Sequence, residues 1–312
     1  MATFREFNYP SSDGIHICWA GQWLPDEGQP RAVVQIVHGV AEHMGRYDAF
    51  ARFLAGHGFA VCGEDHLGHG KTVTDGVYGY FGQKNGWWTV TEDIRQLRQR
   101  MGEQFPGVPY FLLGHSMGSF LARTYLIRYP GTVAGAILMG TGQMPPALVA
   151  AGRVLAAREA RKVGDRHSSP LVNKLAFEAY NQKFAPNRTG YDWLSASTEN
   201  VDQYLADPLC GGDPTIGLFR EMLRGIACIE KQENLKRMNR NTPVLFLSGQ
   251  DDPVGDMGKG VRRAYRSFRR SGVRDVEIRL YQGLRHEILQ ETGREKVYAD
   301  VAHWLEAHLP EQ

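Results

Sequence analysis

The stretch Tyr110-Phe111-Leu112-Leu113-Gly114-His115-Ser116-Met117-Gly118-Ser119 decides how the chain is read. Its four leading apolar residues carry no charge and predict a short strand buried on both faces. The residues from about 117 to 128 then read as a helix. A strand that passes into a helix through Gly-x-Ser-x-Gly is the setting of a nucleophile elbow. The flanking glycines leave room for a tight, strained turn that lifts the serine oxygen above the sheet. With 36 glycines in 312 residues the pentapeptide alone would say little. Its place between a strand and a helix gives it weight.

Outward from this point the same rhythm repeats. Upstream, β-rich segments near 3–9 and 15–24 flank Ser11-Ser12-Asp13-Gly14 and predict a hairpin. Then come a strand at Ala32–Val37, a helix over 47–57, a strand at Phe59–Cys62, a loop rich in glycine and aromatics, and a helix from Thr89 to Met101. Downstream lies a strand at Ala134–Met139. Strands separated by helices imply right-handed βαβ units and a mostly parallel sheet. The alternation stops at about Gly142. Up to Met238 there are only helical patches and loops holding Pro145, Pro146, Pro170, Pro186, Pro208 and Pro214. It resumes with Val244–Leu247, a helix over 257–271, a strand at Val276–Tyr281 and a helix over 294–309. The expected architecture is an α/β core built from 1–141 and 239–312, with 142–238 inserted as a helical cap. Such a cap would lie over the C-terminal edge of the sheet, where ligands of open α/β folds bind.

Composition narrows the function. A chain with 42% hydrophobic and 22% charged residues and a net charge of +2 is neither disordered, collagen-like nor coiled-coil. It shows no basic footprint for nucleic acid. No apolar run reaches the ~18 residues of a membrane span. Arg5 and Glu6 stand where a signal peptide would be apolar, so a cytoplasmic location is expected. Cys18, Cys62, Cys210 and Cys228 form no C-x-x-C pair and read as buried, reduced thiols.

A serine hydroxyl needs a base to activate it, and the base needs a carboxylate to orient it. In folds with this elbow the chain order is serine, then Asp or Glu, then His. Here the strand at 244–247 runs into Asp251-Asp252, and the strand at 276–281 runs into His286. Ser116 is therefore the candidate nucleophile and His286 the candidate base. Neighbouring side chains in an extended segment diverge, so only one of Asp251 and Asp252 can face the histidine ring. An oxyanion hole needs the N–H after the nucleophile, that of Met117, and a second N–H from the loop after an earlier strand. That loop is His38-Gly39-Val40-Ala41-Glu42-His43, with Val40 N–H best placed and Gly39 letting the backbone turn.

His38-Gly39-Val40-Ala41-Glu42-His43-Met44-Gly45-Arg46-Tyr47 resembles the H-G-x-x-E-H-x-x-R-Y signature of the monoacylglycerol lipase and lysophospholipase-like hydrolases, the group classed with the serine aminopeptidases. Asp65-His66-Leu67-Gly68-His69-Gly70 is similar to that family's D-H-x-G-H-G loop, and Gly114–Gly118 to its G-H-S-M-G elbow. Gly249-x-x-Asp252-x-Val254 and Arg285-His286-Glu287 fit its acid and histidine segments, which selects Asp252 over Asp251. Pro253 favours an extended Asp252 in the same sense. The resemblance covers nearly all of the chain outside the cap. It implies an α/β-hydrolase fold in which Glu42, His43, Arg46 and Asp65 support the oxyanion loop. It also implies a serine hydrolase that cleaves lipid-like carboxylic esters, monoacylglycerol or lysophospholipid, through an acyl-enzyme and without a cofactor.

Two alternatives stay open. An aminopeptidase or amidase would need a cap carboxylate for an α-ammonium, and Glu159, Glu178, Asp192 and Asp202 are available. A non-catalytic binding protein could keep the same fold. A metal on Asp65, His66 and His69 would lack further ligands at sensible spacing. In the cap, the apolar run from Ala147 to Leu155, followed by Arg158, Arg161 and Lys162, reads either as a cap helix packed over the sheet or as an acyl-pocket rim that touches lipid aggregates through Leu148 and Leu155. The resemblance places Trp193 and Leu209 near the substrate. Nothing in the sequence sets the oligomeric state.

Overall fold

The computed structural model describes residues 2–73 and 75–310. Eight strands form one sheet: β1 (Thr3–Pro10), β2 (Ile17–Leu24), β3 (Val33–Val37), β4 (Ala60–Glu64), β5 (Tyr110–His115), β6 (Gly135–Met139), β7 (Val244–Gly249) and β8 (Val276–Tyr281). Their order is β1-β2-β4-β3-β5-β6-β7-β8. β2 runs antiparallel to β1 and β4, and every pairing from β4 to β8 is parallel. The expected hairpin is thus the sheet's one antiparallel corner. Every residue of β3 to β7 is buried, which is why these strands read as unbroken apolar runs rather than alternating ones.

Alternate side chains of each central strand enter opposite cores. Tyr110 and Leu112 of β5 join one core with Trp87, Ile94 and Leu97 of helix α2 (Gly86–Gln104) and Leu121 and Tyr125 of α3 (Met117–Arg128). Phe111 and Leu113 join the other, with Phe50 and Leu54 of α1 (Asp48–Gly56) and Tyr298, Trp304 and Leu305 of the last helix, Arg294–Ala307. α2 begins at Gly86, three residues before the expected Thr89. The sequence offers no local cap there, because the carboxylate that accepts the Trp87 N–H belongs to Glu221, at 3.0 Å.

Between β6 and β7 the chain forms α4 (Pro146–Val163), short helical turns over 170–184, and helices Thr198–Ala206 and Ile216–Ile229. Among the described residues this segment contains no sheet strand, only the isolated bridge Ser168–Thr215. Helix Ile216–Ile229 lies between α4 and α3. Ile216 and Phe219 share a small apolar cluster with Ala156 of α4 and Val172. Arg123 of α3, fully buried, donates to Gly142 O (2.8 Å) and Ile229 O (3.4 Å), and so ties both ends of the insertion to the helix that follows Ser116. Burial pulls its pKa down to about 10. Among the described residues no helix is long and apolar enough to cross a membrane. All four cysteines are free; Cys18 and Cys62 are buried, while Cys210 and Cys228 are half-buried.

Candidate active site

The turn between β5 and α3 holds Ser116 at φ 52°, ψ −122°, a conformation that L-residues rarely adopt. Two glycines permit it. A Cβ on Gly114 would sit 2.4 Å from Gly118 O, and one on Gly118 would sit 1.9 Å from Val37 O. The backbone is held by Ser116 N–H donating to Met139 O (2.9 Å) and by the Ser119 hydroxyl donating to Ser116 O (2.6 Å). The elbow therefore rests directly on the ends of β3 and β6.

The loop after β3 presses against the same residue. A Cβ on Gly39 would lie 3.0 Å from Ser116 Cβ and 2.6 Å from Glu42 Oε1, so only glycine fits between nucleophile and loop. Glu42 gathers the loop: its Oε1 accepts from Gly39 N–H (2.5 Å), Tyr47 Oη (2.9 Å) and the His115 ring at Nδ1 (2.9 Å), and Oε2 accepts from Arg46 (2.9 Å). Burial alone would raise the Glu42 pKa, but His115 and Arg46 hold it well below the usual carboxylate range. The His115 pKa is raised correspondingly: burial opposes its charge and the Glu42 carboxylate outweighs that. Asp65 closes the loop from below, accepting from Met44 N–H (2.9 Å) and Lys71 N–H (2.8 Å). His43 reaches Asp207 of the insertion at 2.8 Å.

The loops after β7 and β8 continue the parallel pairing past the strands. Gln250 N–H donates to Tyr281 O (2.8 Å) and Asp251 N–H to Leu284 O (3.0 Å). A Cβ on Gly249 would lie 2.1 Å from Leu284 O, so this glycine lets the two loops close together. The result is a buried pair: His286 Nδ1 lies 3.0 Å from both carboxylate oxygens of Asp252. Val254 N–H (2.9 Å) and the Ser248 hydroxyl (3.3 Å) also donate to Asp252. An Nδ1–H that points at a carboxylate leaves Nε2 with its lone pair free. Asp251 is half-exposed, and the ring lies against its neighbour instead.

Ser116, His286, Val40 and Trp193 all line one cavity of about 230 Å³. This is below the ~300–1,000 Å³ typical of small-molecule pockets, so the site is compact. Trp193 is 5% exposed, with its ring centroid 5.1 Å from that of His286. The other three residues named from sequence between 142 and 238 do not reach the cavity lining. Leu148 is 57% exposed on the outer face of α4. Leu155 packs beside the Ala156–Phe219 cluster inside the insertion. Leu209 is half-buried, and its carbonyl accepts from Tyr78 Oη. The sequence reading missed Phe177 and Asp213, which do line the cavity. Tyr191 and Tyr204, near the expected Trp193 and Leu209 in the chain, also line it. Of the carboxylates considered for an α-ammonium, Glu178 alone borders the cavity.

The insertion grips the His286 loop at several points. Glu287 pairs bidentately with Arg46 (2.5 and 2.9 Å), accepts from Asn200 Nδ2 (2.8 Å), and its N–H donates to Leu194 O (2.8 Å). Glu291 accepts from the Ser195 hydroxyl (2.7 Å) and from Ala196 N–H and Arg285 N–H. Arg285 donates to Asp192 O and Ser195 O and stacks over Phe184 at 4.0 Å. Elbow, oxyanion loop, histidine loop and insertion thus form one connected polar frame.

A mostly parallel eight-stranded sheet, flanked by helices and carrying this elbow, defines the α/β-hydrolase fold. The structure resembles a carboxyl esterase from Bacillus coagulans (TM-score 0.91, 28% identical, covering 98% of this chain and 99% of that one) and an open-form lipase (TM-score 0.88, 28% identical, 99% and 100%). The chain belongs to the serine aminopeptidase (S33) hydrolase family, whose profile matches residues 28–293. It is 29% identical over 317 residues to the monoacylglycerol lipase of Mycolicibacterium smegmatis, covering 99% of each. To the human monoglyceride lipase it is 27% identical over 299 residues, covering 95% of this chain and 88% of that one. It is a hydrolase of that family.

Proposed function

We propose that this enzyme hydrolyses lipid-like carboxylic esters, monoacylglycerols first, through an acyl-enzyme on Ser116. The observation that carries this reading is the buried His286–Asp252 pair facing the same cavity as the strained Ser116 elbow. The names of the relatives supply the substrate class. Ser116 Oγ attacks the ester carbonyl while His286 Nε2 takes its proton, and Asp252 steadies the resulting imidazolium. The N–H groups of Val40 and Met117 receive the oxyanion. Collapse of the tetrahedral intermediate breaks the ester C–O bond, and His286 returns its proton to the leaving alcohol. Water then repeats the sequence against the acyl-serine, releasing the carboxylic acid and free enzyme. No step calls for a cofactor.

In this reading residues 142–238 act as a cap over the core formed by 1–141 and 239–312, and the enzyme works in the cytoplasm on lipid aggregates. Support for lipid contact comes from the outer face of the insertion, where Leu148, Val154, Leu171 and Leu175 are each about half exposed. Arg153, Arg158, Arg161, Lys162 and Lys174 lie in the same segments. Apolar side chains flanked by cations suit a membrane interface. The test is an activity profile across monoacylglycerols, lysophospholipids, p-nitrophenyl esters and aminoacyl amides, with fluorophosphonate labelling of the wild type and Ser116→Ala. Ester turnover with labelling lost in the variant is expected. Turnover confined to amides would overturn the substrate class, and labelling that survives Ser116→Ala would overturn the nucleophile.

A further inference from the structure

The cavity wall has a charge asymmetry that the ester chemistry does not require. Among the described residues its charged lining consists of carboxylates and the histidines, with no lysine or arginine. Glu42 and Glu287 are neutralised in place by Arg46 and His115. Glu178 and Asp213 differ: both are exposed at the cavity mouth, and among the described residues neither is held by an ion pair or hydrogen bond. The lining also holds Phe177, Tyr191, Trp193 and Tyr204, of which the Tyr204 ring already carries the Arg46 guanidinium at 4.9 Å. Phe177 and Trp193 stack at 6.2 Å, nearly parallel at 21°. Trp193 is 5% exposed, and its buried indole N–H has no partner in the protein.

Aromatic faces attract cations, above all quaternary ammonium groups. Two uncompensated carboxylates at the mouth reinforce that field and oppose anions. We infer that the cavity sorts its esters by charge, favouring an alcohol part that bears a quaternary ammonium, accepting a neutral one and rejecting an anionic one. This rests on the lipid-ester reading above and narrows it. Among lysolipids it selects those whose phosphate carries a choline group and excludes those whose alcohol part ends in a bare phosphate. The same field drives out the product, because the released carboxylic acid ionises and becomes an anion inside an anion-repelling mouth.

The test compares three water-soluble esters with one acyl chain: hexanoylcholine, hexanoylglycerol and hexanoylglycerol phosphate. Each is assayed with the wild type, with the Glu178→Gln/Asp213→Asn double variant, and with Glu233→Gln as a surface-charge control. The readout is the ratio of kcat/KM for the choline ester to that for the phosphate ester. Each free carboxylate should favour the cationic ester and disfavour the anionic one by up to roughly fivefold apiece, the effect of one unit charge at a few ångströms in water, reduced by salt. The double variant should therefore lower the ratio at least tenfold, and high salt should lower it in the wild type. A wild-type ratio near one, or a ratio moved equally by Glu233→Gln, would overturn the inference. Failure to cleave any of the three, hexanoylglycerol included, would instead overturn the ester reading on which it stands.

Discussion

Replacing Glu64 by glutamine should change how stability depends on pH, and the structure sets the size of the effect. Glu64 ends β4 with 1% exposure. Its Oε2 accepts from Tyr9 Oη at 2.8 Å, whereas Oε1 has no partner and stands 3.5 Å from His66 Nδ1. Burial pushes this carboxyl up to about 8 from an ordinary 4.5, with the Tyr9 hydrogen bond opposing and Asp65 adding to the rise. The native state therefore keeps the proton while the unfolded chain has already lost it. Below the unfolded pKa both states are protonated and Glu64 carries no penalty. Between about pH 4.5 and pH 8 the unfolded state gains free energy by ionising, and native stability falls as pH rises. At 1.36 kcal/mol per unit, a shift of this size amounts to about 5 kcal/mol by pH 8. Glutamine cannot ionise. Its carbonyl can still accept from Tyr9, and its amide can donate to His66 Nδ1. Urea unfolding followed by tryptophan fluorescence, at constant ionic strength from pH 5 to 8, should show near-equal stability at the acid end. The variant should then be ahead by several kcal/mol at the alkaline end. A wild type–variant difference that stays flat across this range, or widens toward acid, would refute the reasoning.

Asp252→Asn should remain folded and lose about 10⁴ in turnover, the loss caused by the wrong histidine tautomer in the serine-protease example. Asp251→Asn should stay within a few-fold of wild type in the same p-nitrophenyl ester assay. Gly118→Ala should fail to yield folded protein, because its Cβ would fall 1.9 Å from the backbone oxygen of Val37 in a central strand; soluble expression and thermal melting report this, with Gly190→Ala, which meets open space, as the comparison. Leu148→Ser/Leu175→Ser removes two exposed apolar groups from the insertion's outer face. It should weaken sedimentation with phospholipid vesicles and lower activity on aggregated long-chain esters several-fold more than on monomeric short-chain ones.

What could be read from the chain alone follows the range of the interactions involved. The elbow was legible because its determinants are local: Gly114, Ser116 and Gly118 meet one another and the end of β3. The Asp252–His286 pair was legible because β7 and β8 are neighbours and their loops simply prolong the ladder. The packing of the segment between β6 and β7 was not, and α4 shows why. Its apolar residues are divided between two destinations, Leu155 and Ala156 toward helix Ile216–Ile229 and Leu148 toward solvent. A periodicity count cannot tell a stripe that packs from one that is left bare. The helix start at Gly86 was missed for a related reason, since its capping carboxylate comes from Glu221, 134 residues away. Segment 170–184 breaks its helical period with a π turn at Lys174–Glu178, and that turn carries Phe177 and Glu178 of the cavity lining. The contacts that orient the insertion join residues about 90 to 165 apart, as in Ser195–Glu291 and His43–Asp207. Each is an acid matched to a distant donor, and many acids and donors in the chain would have served equally well by type. The chemistry of the site is therefore written in short motifs. The placing of the insertion over it lies in pairings that only the folded chain reveals.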